Sequence, residues 1–520
     1  MECVAFSSKN NDTMKRILTT LGLSLLTVVC AVAADKPNII VFLVDDMGVM
    51  DTSVPFLTDA SGAPEMHPLN EWYRTPNMER MANLGTRFST FYAQSVCSPT
   101  RASIMSGQNA TRHATTQWIR PEGNNRGKFG PEKWNWVGLT KESVTLPRVL
   151  KGEGYRTLFL GKAHFGPLDS EGSDPLNLGF DVNIGGACWG RPKSYYGRDH
   201  YGNHPKYAKK MTHNVPHLEA YYESDTYLTE ALTLEANKEI SKAVEAEEPF
   251  FMLMSHYALH TPFDSDPRFA ANYENSDKSK QAKAFATLVE GMDKSLGDIM
   301  DHLETLGVAE DTLIFFLGDN GSDAPLGGSH TVASSAPLLG KKGTHYEGGM
   351  RVPFIAAWAK PDVANPEQQA LPIAQGAIQP QLGTIMDLYP TILKVAGAPS
   401  PDGYIYDGYG LETLLAGQSD EAHPDVFLMH FPHDHRSNYF TSYRNGDWKL
   451  VYHYYPKANK QKSHYELFNL KDDFAETNNL AQSNPEKLNA MMRAMVAQLE
   501  FEGALYPVDS EGNDLLPIIP

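Results

Sequence analysis

The sequence predicts an α/β fold: a central, mostly parallel sheet flanked by helices, then a smaller C-terminal α+β domain with an antiparallel sheet. Three observations predict it. Several apolar, β-branched runs are continuous rather than alternating, the pattern of strands buried on both faces. One of them follows directly on an amphipathic helical stretch, which is the repeating unit of a doubly wound fold. The C-terminal part switches instead to a hairpin signal followed by a helix.

The first run, Asn38 to Val44, ends at Asp45-Asp46. Thr312 to Leu317 is a second, ending at Gly318-Asp319-Asn320. Before it, Phe285, Leu288, Val289, Met292, Leu296, Ile299, Met300 and Leu303 recur at helical spacing, with Gly307 where a C-cap falls. Pro249 to Met254 leads into Ser255-His256, and Tyr155 to Leu160 leads into Gly161-Lys162. In open α/β sheets the site lies beyond the carboxyl ends of the strands, and all four runs deliver polar residues there. Residues 166 to 227 are rich in Gly, Pro, Tyr, His and Asn without periodicity, and read as long cleft-shaping loops. A Pro/Gly-rich passage from Gly397 to Gly410 suggests a boundary. Beyond it, Asn445-Gly446 lies between Tyr439 to Tyr443 and Trp448 to Tyr455, a hairpin signal. Ser483-Asn484-Pro485-Glu486 then opens a helix. The expected organisation is a leader over 1–34, a catalytic domain over 35–410 and the C-terminal α+β domain over 411–520.

The chain has 520 residues, 41% hydrophobic and 21% charged, with a formal net charge of −18. Wholesale nucleic-acid binding is therefore not expected. An anionic substrate would need concentrated positive charge at its site. Met14-Lys15-Arg16, the apolar stretch Ile17 to Val32 and the small residues Val32-Ala33-Ala34 read as a cleaved export signal, so a periplasmic or secreted protein without stable membrane insertion is expected. Outside the leader only Cys97 and Cys188 remain, which excludes a disulfide scaffold and allows one bridge at most.

Asp45, Asp46, Asp319 and Asn320 offer three carboxylates and an amide, an all-oxygen set suited to Ca²⁺ or Mg²⁺ rather than zinc. Either pair alone is most often a turn or helix cap; two pairs at the ends of buried strands favour a metal. Cys97-Ser98-Pro99-Thr100-Arg101 by chemistry alone fits a buried cysteine before a helix, or a thiolate activated at a helix N-terminus. A lone Lys162 or Lys342 is usually solvated, and a lone His164 or His260 usually a loop or capping residue.

Taken in order, the motifs resemble those of type I sulfatases of the alkaline phosphatase superfamily. The pattern C-x-P-x-R at Cys97 to Arg101 is the family's maturation signature. Pro37 to Gly48 resembles its opening strand, and Ser106 to His113 continues the Cys97 motif. Gly161-Lys162-Ala163-His164, His260-Thr261-Pro262, Gly318 to Gly321 and Lys342 to Arg351 are similar to later elements. The resemblance covers nearly the whole chain after the leader.

The resemblance implies an alkaline-phosphatase-like fold and hydrolysis of sulfate esters. Asp45, Asp46, Asp319 and Asn320 would hold one Ca²⁺, with residue 97 completing the shell. A maturation enzyme would convert Cys97 to formylglycine (3-oxoalanine), whose hydrate attacks sulfur and whose second hydroxyl allows sulfate release. Arg101 would steady that hydrate. Lys162 and Lys342 would grip sulfate oxygens, and His164 and His260 would serve the leaving group or the nucleophile. The export signal and aromatic loops, with Trp189, Tyr195, Tyr196 and His200 as stacking candidates, suggest a sulfated saccharide as substrate. His256 is a second-tier candidate; His345, Arg351 and Cys188 read as structural. The rival enzyme is a phosphonate or phosphate monoester hydrolase of the same superfamily, and the rival non-enzyme is a decayed carbohydrate-binding relative. Cys97 and Asn320 disfavour the phosphatase, a formylglycine phosphonate hydrolase stays open, and the intact motif set disfavours the non-enzyme.

Overall fold

The computed structural model describes residues 36–210 and 212–520, so the expected leader lies outside the described residues. In chain order the strands are β1 (Asn38–Val44), β2 (Thr86–Phe88), β3 (Phe91–Tyr92), β4 (Arg156–Gly161), β5 (Val182–Ile184), β6 (Phe250–His256) and β7 (Thr312–Gly318). There follow β8 (Phe354–Trp358), β9 (Ala377–Gln379), β10 (Gly383–Thr384), β11 (Val426–Phe431), β12 (Phe440–Asn445), β13 (Trp448–His453) and β14 (Tyr465–Asn469). Eight form the central sheet in the order β5-β4-β6-β1-β7-β8-β2-β9. All its pairings are parallel except those of β8 with β7 and β2.

Along β1, Ile40, Phe42 and Val44 pack into one hydrophobic core while Ile39, Val41 and Leu43 pack into another. The continuous apolar run thus serves both faces of the sheet, as parallel strands covered on two sides require. One cover is the helix Lys280–Leu306, begun by Ser279 Oγ accepting from Ala282 N and ended by Gly307 at φ 72°. It packs beside the helix Leu228–Glu245.

Strands β11 to β14 form a separate antiparallel sheet. Phe427, Met429 and Phe431 of β11 face the main body, while Leu428, Leu450 and Leu467 face the helix Pro485–Glu502. The segment 166–227, expected as loops, is irregular for the most part but adds the edge strand β5 and several short 3₁₀ turns. Among the described residues, no helix is long and apolar enough to cross a membrane.

Candidate active site

Strands β1 and β7 run parallel with Val44 opposite Gly318, so Asp45-Asp46 and Asp319-Asn320 leave the same edge side by side. The turn is tight. A Cβ on Gly318 would sit 2.1 Å from the Met47 carbonyl oxygen, so no larger residue fits there. Asp46 takes φ 60°, a conformation that Asp tolerates better than most residues. Its amide donates to Asp319 Oδ1 at 3.0 Å, and Asn320 Nδ2 donates to Asp46 Oδ1 at 3.0 Å.

Three cations close on this group. Lys162, just past β4, donates to both oxygens of Asp45 at 2.8 and 2.7 Å. Lys342 Nζ lies 2.5 Å from Asp46 Oδ1. Arg101, on the helix Cys97–Ser106, donates through Nε and Nη2 to Asp319 Oδ2, and through Nη1 to Ser255 Oγ and the Lys162 carbonyl. At 1% exposure, Arg101 ties the ends of β4, β6 and β7 together. The structure thus places it against a carboxylate and two strand ends.

Cys97 opens that helix and is buried. His164 presents Nδ1 to Cys97 Sγ at 3.3 Å, while its Nε2 lies 2.6 Å from the Ile119 carbonyl oxygen. That carbonyl can only accept, so Nε2 carries the proton and Nδ1 offers its lone pair to residue 97. Burial, reinforced by Lys162, holds the imidazole well below its usual pKa and therefore neutral. His260 stands on the opposite side, with Nε2 3.7 Å from Asp46 Oδ2; burial and Lys342 keep it neutral too. Burial works against charge on Asp46, but the Lys342 ammonium, with Lys162 beside it, outweighs it and holds the carboxyl far below its usual range. On Lys342 burial likewise opposes the charge, and Asp46 more than offsets it.

The donor set fits a hard cation. Asp45, Asp46 and Asp319 each offer an oxygen within 4.8 Å of the others. Asp46 Oδ2 and Asn320 Oδ1 are buried yet accept no hydrogen bond, a costly arrangement unless something else uses their lone pairs. Burial also pushes Asp45 up despite Lys162, which marks a centre crowded with negative charge. A second buried group, His345, His453 and Glu466, is a poorer candidate. Asn459 Nδ2 donates to His453 Nδ1 at 2.8 Å, so His453 Nε2 carries a proton and donates to Glu466 at 2.6 Å.

Cys97, His164, His260 and Lys342 open into one cavity of about 490 Å³. Its rim comes from residues the motifs did not single out: Trp118, Arg120, Arg191, His213, His435 and Arg436. They sit on loops without periodicity, so no sequence signal marked them. Other expectations are corrected. Tyr195 is fully buried with its hydroxyl on the Tyr257 and His260 carbonyls, so it supports the site and cannot stack on a ligand. Trp189 is buried beside His213, Tyr196 packs on Tyr227, and His200 pairs with Glu223; none of the three lines the cavity. His256 points to the other side of β6 and meets Ser295 of the helix Lys280–Leu306 at 2.9 Å. Arg351 pairs with Glu347, which also receives Lys449 from β13. Cys97 and Cys188 are both free, so the one bridge the sequence allowed is not formed.

A strand-end acidic cluster, flanked by lysines and facing a Cys in the first turn of a helix, defines a hydrolase of anionic esters. The chain belongs to the sulfatase family, whose profile matches residues 37–398, and it is a sulfuric ester hydrolase. The profile for the N-sulphoglucosamine sulphohydrolase C-terminal region matches residues 340–502. The chain is 31% identical to the N-acetylgalactosamine-6-sulfatase of Mus musculus over 408 residues, covering 76% of this chain and 70% of that one. It is 26% identical to a sulfatase of Formosa agariphila, with 89% of each covered. Among solved structures it is similar to Ps i-CgsB in complex with k-i-k-neocarrahexaose, with TM-score 0.69 and 25% identity, covering 92% of this chain and 96% of that one.

Proposed function

We propose that this protein hydrolyses sulfate esters on a sulfated saccharide, using a formylglycine formed from Cys97 and one Ca²⁺ held by Asp45, Asp46, Asp319 and Asn320. The observation that carries the reading is the pairing of the His164 Nδ1 lone pair with residue 97 beside an oxygen-donor cluster. Its saccharide part is supported by a structural relative solved with a neocarrahexaose.

When bound, the cation would offset negative charge on the sulfate, and the hydrated aldehyde would supply both a nucleophilic hydroxyl and a route to sulfate release. The chain's own residues do the rest. Lys342, which lines the cavity, would share its charge between Asp46 and an incoming sulfate, and Lys162, buried against Asp45, would add its own charge to the same centre. His164 accepts a proton from residue 97 through Nδ1, since Nε2 is committed to Ile119. His260, on the cavity side of Asp46, is placed to hydrogen-bond the departing alcohol. Arg101 fixes the strand ends relative to the helix that carries residue 97. Export in a cleaved-leader form, and encounter with a maturation enzyme, complete this reading.

Mass spectrometry of the peptide spanning Cys97, after co-expression with a maturation enzyme, tests it. Conversion removes a sulfur and two hydrogens and adds an oxygen. An intact thiol in a fully active sample would overturn the mechanism.

A further inference from the structure

The cations around the cavity are not alike. Arg436 spends both Nη atoms on Asp323, at 2.7 and 3.0 Å. Arg120 is exposed and paired with Glu122 at 3.4 Å. Lys342 is engaged with Asp46. Arg191 differs: among the described residues it has no carboxylate partner, and its only hydrogen bond is a long one, 3.4 Å to the Pro192 carbonyl. It is half-buried all the same, and burial pulls its pKa down from the usual guanidinium value.

Its placement is fixed by the residue before it. A Cβ on Gly190 would lie 2.7 Å from His164 Cε1, so the chain can press against the imidazole only with glycine there. Arg191 therefore leaves the same wall that holds His164 against residue 97, and both line the cavity. Its neighbour His213 is kept neutral, at a pKa of about 4, by burial and by Arg191 itself. The guanidinium is thus the fixed positive charge of that wall, in a chain of net charge −18. A half-buried cation without a counter-charge is costly to fold, and a planar guanidinium matches a sulfate or carboxylate in two-point geometry.

We propose that Arg191 binds a second anionic group of the saccharide, a sulfate or a uronate carboxylate close to the ester being cleaved. This rests on the sulfatase reading above and names its substrate class: sugars bearing a second negative charge near the scissile sulfate.

The test uses matured protein and three synthetic saccharides with the same scissile sulfate. One carries a second sulfate on the same ring, one a neighbouring uronate, and one neither. The wild-type protein is expected to prefer at least one doubly anionic substrate by about 10- to 100-fold in kcat/KM, the size of a charge-assisted hydrogen-bond pair. Which arm is preferred identifies the anion. In Arg191→Gln the doubly-to-singly anionic ratio should fall towards one, chiefly through KM. An unchanged ratio in that variant overturns the proposal. A wild-type ratio near one overturns it as well, even where the variant fails to fold. Failure to cleave any of the three would instead count against the sulfatase reading.

Discussion

Lys162 clasps Asp45 through both carboxylate oxygens, at 2.8 and 2.7 Å, and neither side chain reaches solvent. Removing one partner of a buried pair strands the other charge, which typically costs about 3–5 kcal/mol. Lys162→Ala should therefore lower Tm markedly, and added Ca²⁺ should restore part of the loss by giving Asp45 another counter-charge. Differential scanning fluorimetry with and without Ca²⁺ checks this. A variant as stable as the wild type in chelator would refute the account.

A Ca²⁺ held as proposed would use the unpartnered Asp46 Oδ2 and Asn320 Oδ1 and so would link metal binding to stability. A ligand at a hundred times its Kd adds about 2.7 kcal/mol to the folded state. Chelation should lower Tm and abolish sulfate-ester hydrolysis, and Ca²⁺ should reverse both in a dose-dependent way. Insensitivity of Tm to Ca²⁺ over the whole titration would remove the metal from the site.

His164→Ala takes away the lone pair that faces residue 97 while leaving the acidic cluster and both lysines in place. We expect kcat to fall by roughly 10²–10⁴-fold, the usual worth of a positioned acid–base group. KM should change far less. Steady-state kinetics on an aryl sulfate separate the two, and a loss confined to KM would show that His164 only binds.

Far from the site, burial and then Asp407 push Glu502 up to about 8, against an ordinary value of 4.5. The folded state therefore holds this proton where the unfolded chain has released it, so stability falls as pH rises from roughly 4.5 to 8. Glu502→Gln removes that loss. Its Tm advantage over wild type should grow between pH 5 and pH 8; an advantage that shrinks would reverse the sign of the argument.

The acidic cluster was legible because its members follow directly on runs too apolar to be anything but buried strands. Lys162 and His164 were legible for the same reason, one step beyond β4. His256 misled because it also ends a strand, yet it shares the parity of Phe250, Met252 and Met254 and so faces the helix side. Tyr195 misled by composition: a tyrosine in a loop looks available until the fold buries it. Arg191 could not be singled out at all, because its position depends on Gly190 meeting His164 across the fold.

Every residue of the helix Cys97–Ser106 is buried. An enzyme that has to grip the backbone around residue 97 can do so only before the sheet and its covering loops close over that helix. On the formylglycine reading proposed above, the chemical identity of the nucleophile would then be settled in a race between modification and folding. A chain that folds first keeps its thiol for as long as it stays folded, so a preparation would hold two populations with the same fold and different reactivity.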